Sequence, residues 1–225
     1  AMTEATITPV VESATVVDST QMSYEDYLAL PHDGRQVEWV NKEIVYSMPP
    51  LTVHQDIVGF LNTLLKLFVE FFNLGRVMLS PFEMQCDPDR NSREPDILFV
   101  GTAHVDRLTP RRLEGAADLI IEVVSDDSVS RDYDDKFVEY QECGVQEYWI
   151  IDPRPRRHRA TFYQRNADGV FESVNPSQGV YRSAAVPNFW IKVEWLWQLP
   201  DAQLTFAEIA GFSATMIEEM KKRKA

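Results

Sequence analysis

Two apolar stretches decide the fold of this 225-residue chain: PDILFV at residues 95–100 and DLIIEVV at residues 118–124. A third stretch, EYWII at residues 147–151, has the same character. Runs that are apolar at almost every position are typical of strands covered on both faces of a sheet. Two acidic residues nevertheless interrupt these runs: Asp96 follows the proline that opens the first run, and Glu122 lies inside the second run between Ile121 and Val123. The sequence therefore predicts a buried sheet with two carboxylates in its strands.

Helical patterns flank these strands. Apolar residues recur at helical spacing over residues 57–72, and Thr52 followed by Gln55 predicts a capping box at the start of that helix. A second amphipathic helix is predicted over residues 129–142, with Gly144 as its stop signal. The second helix lies between two of the apolar runs, so it can serve as the crossover that joins parallel strands.

A further strand is predicted over residues 77–86, bent or broken at Pro81. The core order is then helix, strand, strand, strand, helix, strand. This order predicts an α/β fold with a mixed sheet, in which the first three strands are antiparallel neighbours and the fourth is parallel to the third. Hairpins are expected over residues 36–46 and 160–174, and an edge strand over residues 189–195.

The ends of the chain differ from this core. Residues 1–20 show no usable periodicity and are expected to form a disordered tail. Residues 21–200 are expected to form the main domain. Residues 201–225 are expected to add an amphipathic C-terminal helix, with its body at residues 205–224 and a basic end that suits the helix dipole.

Composition limits the classes of function. The net charge of −13, from 22 basic and 35 acidic residues, argues against a protein that coats nucleic acid nonspecifically, because such binding depends on cations that neutralise phosphates. No apolar run is long and uncharged enough to span a bilayer, so no membrane partner is expected. Because the first basic residue is Arg35, we expect no secretory signal. The two cysteines are expected to be buried thiols, which suits a reducing cytoplasm.

The acidic residues within the apolar strands carry the strongest functional signal. A buried, unpaired carboxylate costs several kcal/mol, so Glu122 requires a partner: either a salt bridge or water at a strand end, or a metal or catalytic role. Asp96 follows Pro95, and a Pro-Asp pair at a strand start is also a common turn. Neighbouring antiparallel strands can place Asp96 beside Glu122, where the two charges repel unless a cation lies between them. Oxygen ligands of this kind select Mg²⁺ or Mn²⁺.

These motifs, in this order, resemble the PD-(D/E)xK nuclease superfamily, and within it the Uma-two family, a bacterial group described as restriction endonucleases. The resemblance covers residues 22–195. The matching features are Glu38 in the opening hairpin, His54-Gln55 at the start of the long helix, Pro95-Asp96, Glu122-Val123-Val124-Ser125, Asp132, Lys136 and Tyr140 on the next helix, and the strand from Tyr148 to Asp152. The resemblance implies a restriction endonuclease-like core and a metal-dependent nuclease.

One position departs from the superfamily pattern. The lysine that usually follows two residues after the glutamate is replaced by Val124. The resemblance suggests that Lys136, on the following helix, supplies the missing charge, although a solvated or salt-bridged helix lysine is the alternative. If Lys136 has this role, its ammonium should lie within about 6 Å of a carboxylate oxygen of Asp96 or Glu122.

The resemblance suggests roles for further residues. Asp96 and Glu122 would hold the ion together with the backbone carbonyl of Val123. Glu38 would be a third catalytic carboxylate, placed on the metal, or an exposed strand residue. His54 would contact phosphate, orient Glu38, or be an ordinary polar histidine.

A dense basic cluster follows the strand that ends at Asp152. Within it, Arg156 and Arg157 would lie against a phosphate backbone or form a solvated loop.

Two functional hypotheses follow. The first is a cytoplasmic, Mg²⁺- or Mn²⁺-dependent endonuclease that hydrolyses phosphodiester bonds of nucleic acid, DNA in particular. The second is a catalytically silent scaffold of the same fold that acts as a homodimeric binding or regulatory module, which the charge of −13 favours. A homodimer is expected in either case, because aromatic residues are concentrated near the C-terminus: Phe189, Trp190, Trp195, Trp197, Phe206 and Phe212. The alternative is that these rings pack the C-terminal segment onto the sheet.

Overall fold

The computed structural model describes residues 16–18, 21–31, 36–87, 89, 91–126 and 128–224. In chain order its strands are β1 (Val16–Asp18), β2 (Val37–Val40), β3 (Glu43–Tyr46), β4 (Gly75–Leu79), β5 (Glu83–Asp87), β6 (Asn91–Arg93), β7 (Ile97–Gly101), β8 (Arg112–Glu114), β9 (Leu119–Val123), β10 (Glu147–Asp152), β11 (Arg159–Arg165), β12 (Phe171–Ser173), β13 (Val180–Arg182) and β14 (Trp190–Lys192). The helices are α1 (Tyr24–Leu28), α2 (Thr52–Phe71), α3 (Lys136–Cys143), α4 (Trp195–Gln198), α5 (Ala202–Ile209) and α6 (Ala214–Lys224). A 3-10 helix, Thr102–Arg107, follows β7, and a π-helical segment, Arg131–Asp135, leads into α3.

The central sheet has the strand order β12-β11-β10-β9-β7-β4. Strands β4, β7 and β9 are antiparallel neighbours, and β10 lies parallel to β9. The chain between β9 and β10 contains α3, which is the helical crossover that a parallel pair requires. The predicted α/β class and the predicted order of the core elements are therefore confirmed.

A second sheet, with the order β1-β3-β2-β6-β5-β8, packs beside the central one. Its hairpin turns at Asn41 and Lys42, whose φ angles of 50° and 67° are those that a two-residue hairpin turn of matching twist requires. The single strand predicted over residues 77–86 is in fact two strands, β4 and β5, which lie in different sheets. Pro81 lies between them and cannot donate to a strand ladder, so the pairing stops there.

The two faces of the central sheet have separate cores. Helix α2 covers one face, where Leu64 and Phe68 pack against alternate strand residues such as Ile121. Helix α3 covers the other face, where Tyr140 packs against Ile120. Because side chains alternate along a strand, Glu122 points to the same face as Ile120, towards α3.

Three predicted details of secondary structure are wrong. Leu51, not Thr52, is the N-cap of α2, and no side chain caps it, because Thr52 already has helical backbone and its hydroxyl is one position too late. The predicted single C-terminal helix is two helices, α5 and α6, because the chain turns at Gly211, whose φ is 77°. Strand β14 pairs with β13 in a separate two-stranded sheet and does not extend the central one.

The two cysteines are joined. Cys86 in β5 and Cys143 at the end of α3 form a disulfide, with their Cα atoms 5.4 Å apart. The prediction of two free buried thiols is therefore wrong. The pair is 57 residues apart in sequence and meets only because the second sheet packs beside α3.

The C-terminal aromatic residues pack largely inward. Phe189 and Trp195 are buried in the α2-side core, and Phe206 packs against that core. These contacts agree with the alternative stated for the aromatic residues, in which the rings pack the C-terminal segment onto the sheet. Two phenylalanines at the end of α2 remain exposed, Phe71 by 54% and Phe72 by 43%.

Two further expectations concern the chain's ends and membranes. The predicted tail over residues 1–20 lies outside the described residues except for β1, which pairs with β3. Within the part of the chain that the structure describes, no helix has the length and apolar character needed to cross a membrane.

Candidate active site

The two buried carboxylates meet where β9 ends and β7 begins. The register of these antiparallel strands pairs Ile97 with Ile121, so Asp96 lies opposite Glu122. The backbone amide of Val123 donates to Asp96 Oδ2 at 2.8 Å. Both carboxylates line a cleft of about 330 Å³. The sequence-based expectation that neighbouring strands bring these residues together agrees with this geometry.

Lys136, the first residue of α3, reaches into the same cleft. Its Nζ lies 2.8 Å from Glu122 Oε1, 3.4 Å from Asp132 Oδ1 and 3.6 Å from Glu38 Oε1. The first distance is well inside the 6 Å expected from the sequence. The residue is only 4% exposed, so this ammonium is held among three carboxylates and not in solvent.

Residues of the crossover helix complete the surroundings of Glu122. The hydroxyl of Tyr140 donates to Glu122 Oε1 at 2.7 Å. Asp132 is buried and accepts a hydrogen bond from the Ser128 hydroxyl through Oδ2. Its Oδ1 atom is in ion-pair contact with Lys136 but accepts no hydrogen bond from the described residues. In the sequence, Tyr140 is among the residues that match the family pattern but has no assigned role, because its spacing does not reveal where the hydroxyl points.

Glu38 is held by cations. Its Oε2 accepts from Arg93 Nη1 at 3.0 Å, and its Oε1 accepts from the backbone amide of Glu94 at 3.1 Å. Arg93 also makes two hydrogen bonds, at 2.6 and 2.7 Å, to the carboxylate of Glu139. Both oxygens of Glu38 are thus engaged within the protein. Sequence reasoning did not identify Arg93 as part of the site. The only sequence signal for Arg93 is that this basic residue directly precedes the Glu94-Pro95-Asp96 motif.

His54, in the first turn of α2, contacts Asp96 and not Glu38. Its Nε2 lies 3.2 Å from Asp96 Oδ2, while its buried Nδ1 has no hydrogen-bond partner among the described residues. Burial by itself would lower the pKa of His54, but the hydrogen bond and charge of Asp96 raise that pKa above its ordinary value. The arrangement orients Asp96 on one side while the Val123 amide holds it on the other.

The cleft has an excess of negative charge. Burial raises the pKa of Glu122 to about 8 against the lowering effect of Lys136, and the nearby charges of Asp96 and Asp132 add to the rise. Burial also acts to raise the pKa of Glu38, but Lys136 and Arg93 outweigh it and hold that pKa at about 2. These carboxylates raise the pKa of Lys136 above its ordinary value although burial acts to lower it. An additional cation in the cleft would relieve the repulsion between the acids.

The donor set fits a magnesium-like ion that keeps part of its water. No cluster of three or more His, Cys, Asp or Glu side chains with metal-site geometry occurs within the described ranges. Asp96 and Glu122 supply two carboxylates, and Val123, whose carbonyl is the third oxygen expected from the sequence, also lines the cleft. Mg²⁺ is commonly bound by one or two carboxylates, with water and substrate phosphate completing the octahedron. The residues present therefore fit Mg²⁺ or Mn²⁺ and do not fit a closed structural metal cage.

The basic cluster lies along the same edge of the sheet. Val123 pairs with Ile151, so the loop after β10 begins one strand away from the carboxylates. Arg154 in this loop is paired with Asp152 at 2.8 Å, whereas Arg156 and Arg157 are exposed. Neither exposed arginine lines the cleft itself. These two side chains are thus placed beside the site and not within it.

Comparison with known proteins agrees with this geometry. The family model Uma2, described as "Putative restriction endonuclease", matches residues 24–194, which is more than half of the chain. Among solved structures, the chain is similar to a crystal structure titled as a putative nuclease belonging to DUF820 from Anabaena variabilis ATCC 29413. The TM-score is 0.63 at 18% sequence identity, and the alignment covers 79% of this chain and 98% of that one, which shows a shared fold. No curated protein matches the chain. Since the family match spans all the elements that build the cleft, the chain belongs to the Uma2 family.

Proposed function

We propose that the protein is a divalent-metal-dependent endonuclease that hydrolyses phosphodiester bonds of nucleic acid, with DNA as the expected substrate. The observation that carries the proposal is the convergence of Asp96, Glu122 and Lys136 in one cleft, where the lysine ammonium lies 2.8 Å from the glutamate. Metal-assisted phosphate hydrolysis requires two carboxylates and one cation. A strand start supplies Asp96, a strand end supplies Glu122, and the crossover helix supplies Lys136.

Asp96 and Glu122 would hold the ion, with the carbonyl of Val123 as a third oxygen. When bound, the ion supplies a Lewis acid for the phosphate and lowers the pKa of a water molecule. His54 and the Val123 amide hold Asp96 in position through its Oδ2 atom. Tyr140 does the same for Glu122 through Oε1.

Lys136 would stabilise the negative charge that develops on the phosphate during hydrolysis. Its three carboxylate neighbours keep it protonated and fix its position. In this proposal Glu38 acts through Lys136, because both of its oxygens are engaged by protein groups. It is therefore a positioning residue rather than a ligand of the ion.

Arg156 and Arg157 would contact phosphates beyond the scissile one, since both are exposed on the loop that leaves the same sheet edge. The homodimer remains part of the proposal, and the exposed rings of Phe71 and Phe72 offer a surface for it. A cytoplasmic location also remains a prediction, although the disulfide removes the argument from free thiols that supported it.

A catalytically silent scaffold is the second candidate. It is favoured by the ion pairs of Lys136, which partly satisfy the buried acids without a metal, and by the net charge of −13. In this case the cleft would be a structural network of the kind that many buried ion pairs form.

One experiment separates the two candidates. Purified protein is incubated with a supercoiled plasmid and with short single strands, in Mg²⁺, in Mn²⁺ and in EDTA. We expect cleavage that requires the metal and that is lost in Glu122→Gln but retained in Glu172→Gln, whose carboxylate is exposed on β12. Absence of metal-dependent cleavage of every substrate would leave the silent scaffold as the function.

A further inference from the structure

One wall of the cleft is apolar and exposed. We call it the apolar lip; it consists of Met48, Pro49, Pro50, Leu51, Leu79 and Pro81. All except Leu51 line the cleft directly, and Leu51 adjoins them as the N-cap of α2. Leu51 is 62% exposed, Met48 50% and Leu79 37%. Large apolar side chains that are exposed together beside a cleft indicate a surface that contacts a ligand.

The loop that follows β10 carries the exposed Arg156 and Arg157, and we call it the basic loop. The apolar lip and the basic loop lie on opposite sides of the carboxylates. Leu79 pairs with Ile97 in the next strand, Ile97 pairs with Ile121, and Val123 pairs with Ile151. Along this edge the sheet therefore presents the lip at β4, the carboxylates at β7 and β9, and the basic loop after β10. With neighbouring strands about 4.8 Å apart, the three steps span about 14 Å. The edge thus changes from apolar to basic over the length of a few nucleotides.

The charge balance disfavours a paired duplex at this edge. A duplex carries one phosphate charge per about 1.7 Å of its axis, whereas each strand alone carries one per about 3.4 Å. A chain of net charge −13 is repelled less by the single strand. A duplex also hides the faces of its bases in the stack, so it would present phosphates to the apolar lip, while an unpaired strand can turn a base towards it.

We propose that the cleft takes an unpaired stretch of nucleic acid, with its backbone towards the basic loop and one or two unstacked bases against the apolar lip. The inference rests on the proposed nuclease function and specifies its substrate class. Contacts to the flat face of a base are tolerant of sequence, because every base has such a face. The lip would therefore select for unpaired structure and not for a particular sequence.

The test measures binding without turnover. Fluorescence anisotropy compares a labelled single strand with the duplex of the same sequence, with Ca²⁺ in place of Mg²⁺. The lip variants are Leu51→Ser and Leu79→Ser, and the matched control is Met216→Ser, which alters a 50% exposed apolar residue on α6. Serine is a favoured N-cap residue, so Leu51→Ser should keep or raise the stability of α2 while it removes the apolar side chain.

We expect the single strand to bind at least about fivefold more tightly than the duplex, and each lip variant to weaken single-strand binding by about fivefold, the lower end of what one base contact contributes. The control should bind as the wild type does. Equal or tighter binding of the duplex, or lip variants that bind like the wild type, would overturn the inference. So would lip variants that only dissociate a homodimer in light scattering, because the lip would then contact a second copy of the chain.

The results that would contradict the proposed nuclease function differ from those that would contradict the proposed role of the lip. A protein that binds single strands through the lip but cleaves nothing in Mg²⁺ or Mn²⁺ contradicts the nuclease and supports the lip. A protein that cleaves single strands and duplexes equally, with unchanged rates in both lip variants, contradicts the lip and supports the nuclease.

Discussion

Replacing Lys136 by methionine tests whether the lysine ammonium compensates the charges of the buried carboxylates in the cleft. The ammonium lies within 3.6 Å of three carboxylates, those of Glu122, Asp132 and Glu38, and the side chain is 4% exposed. Methionine has a similar length and shape but no charge. The substitution leaves the buried acids with less compensation, so it should destabilise the metal-free protein and abolish turnover.

The expected loss of stability in Lys136→Met follows from the burial of the ion pair between Lys136 and Glu122. Removing one partner of a buried ion pair costs about 3–5 kcal/mol. In a chain of this length each kcal/mol shifts Tm by about 2–4 °C, so Lys136→Met should lower Tm by about 6–20 °C. Lys66→Met is the matched control, because Lys66 is an exposed helix lysine 3.9 Å from Glu70. Exposed pairs of this kind contribute about 1 kcal/mol or less, so the control should shift Tm by no more than about 4 °C.

The assay combines calorimetry with thermal unfolding. Lys136→Met should bind Mn²⁺ at least as tightly as the wild type, because the lysine acts on the transition state and its loss removes a cation that competes for Glu122. Adding Mn²⁺ should therefore raise the Tm of Lys136→Met by more than it raises the Tm of the wild type. Adding Glu122→Gln to Lys136→Met should recover part of the metal-free stability, since it removes one of the uncompensated charges. A Tm loss no larger than that of Lys66→Met, or retained turnover, would refute the reasoning.

Four further predictions concern metal binding, pH, redox state and assembly. Titration calorimetry should show that Asp96→Ala and Glu122→Ala each weaken Mn²⁺ binding strongly; equal Mn²⁺ binding in all three proteins would reject the site. The pKa values of Glu122 and Glu94 are raised to about 8 and about 7, burial being the largest cause for both. The folded protein therefore keeps protons that the unfolded chain loses near pH 4.3, so stability measured in denaturant should fall from about pH 5 to pH 8, with a shallower slope in Glu122→Gln, and a rise would contradict the assignment. Thiol titration of the unreduced, unfolded protein should find no free thiol, and loss of the Cys86–Cys143 bond, which closes 57 residues, should cost about 4 kcal/mol; two free thiols would reject the pairing. Light scattering should return a homodimer at tens of micromolar, and a monomer alone would reject it.

The sequence by itself determined the core of the fold. Continuous apolar runs identified β7, β9 and β10, because strands covered on both faces must be apolar throughout. The helical spacing between β9 and β10 identified the crossover, and this predicted which strands are parallel. Asp96 and Glu122 stood out for the same reason, since an acid inside an apolar strand is costly without a partner. Their juxtaposition then followed from antiparallel pairing of neighbouring strands.

Only the tertiary structure decided which groups surround those acids. The pairing of Arg93 with Glu38, 55 residues apart, depends on how two strands of the second sheet meet. The disulfide depends on how that sheet packs beside α3, and the contact of His54 with Asp96 on how α2 crosses the sheet edge. Local sequence encodes the period and polarity of each element, which determine the element's type and its buried face. It does not encode the placement of one packed element against another, and every one of these contacts joins elements that lie far apart along the chain.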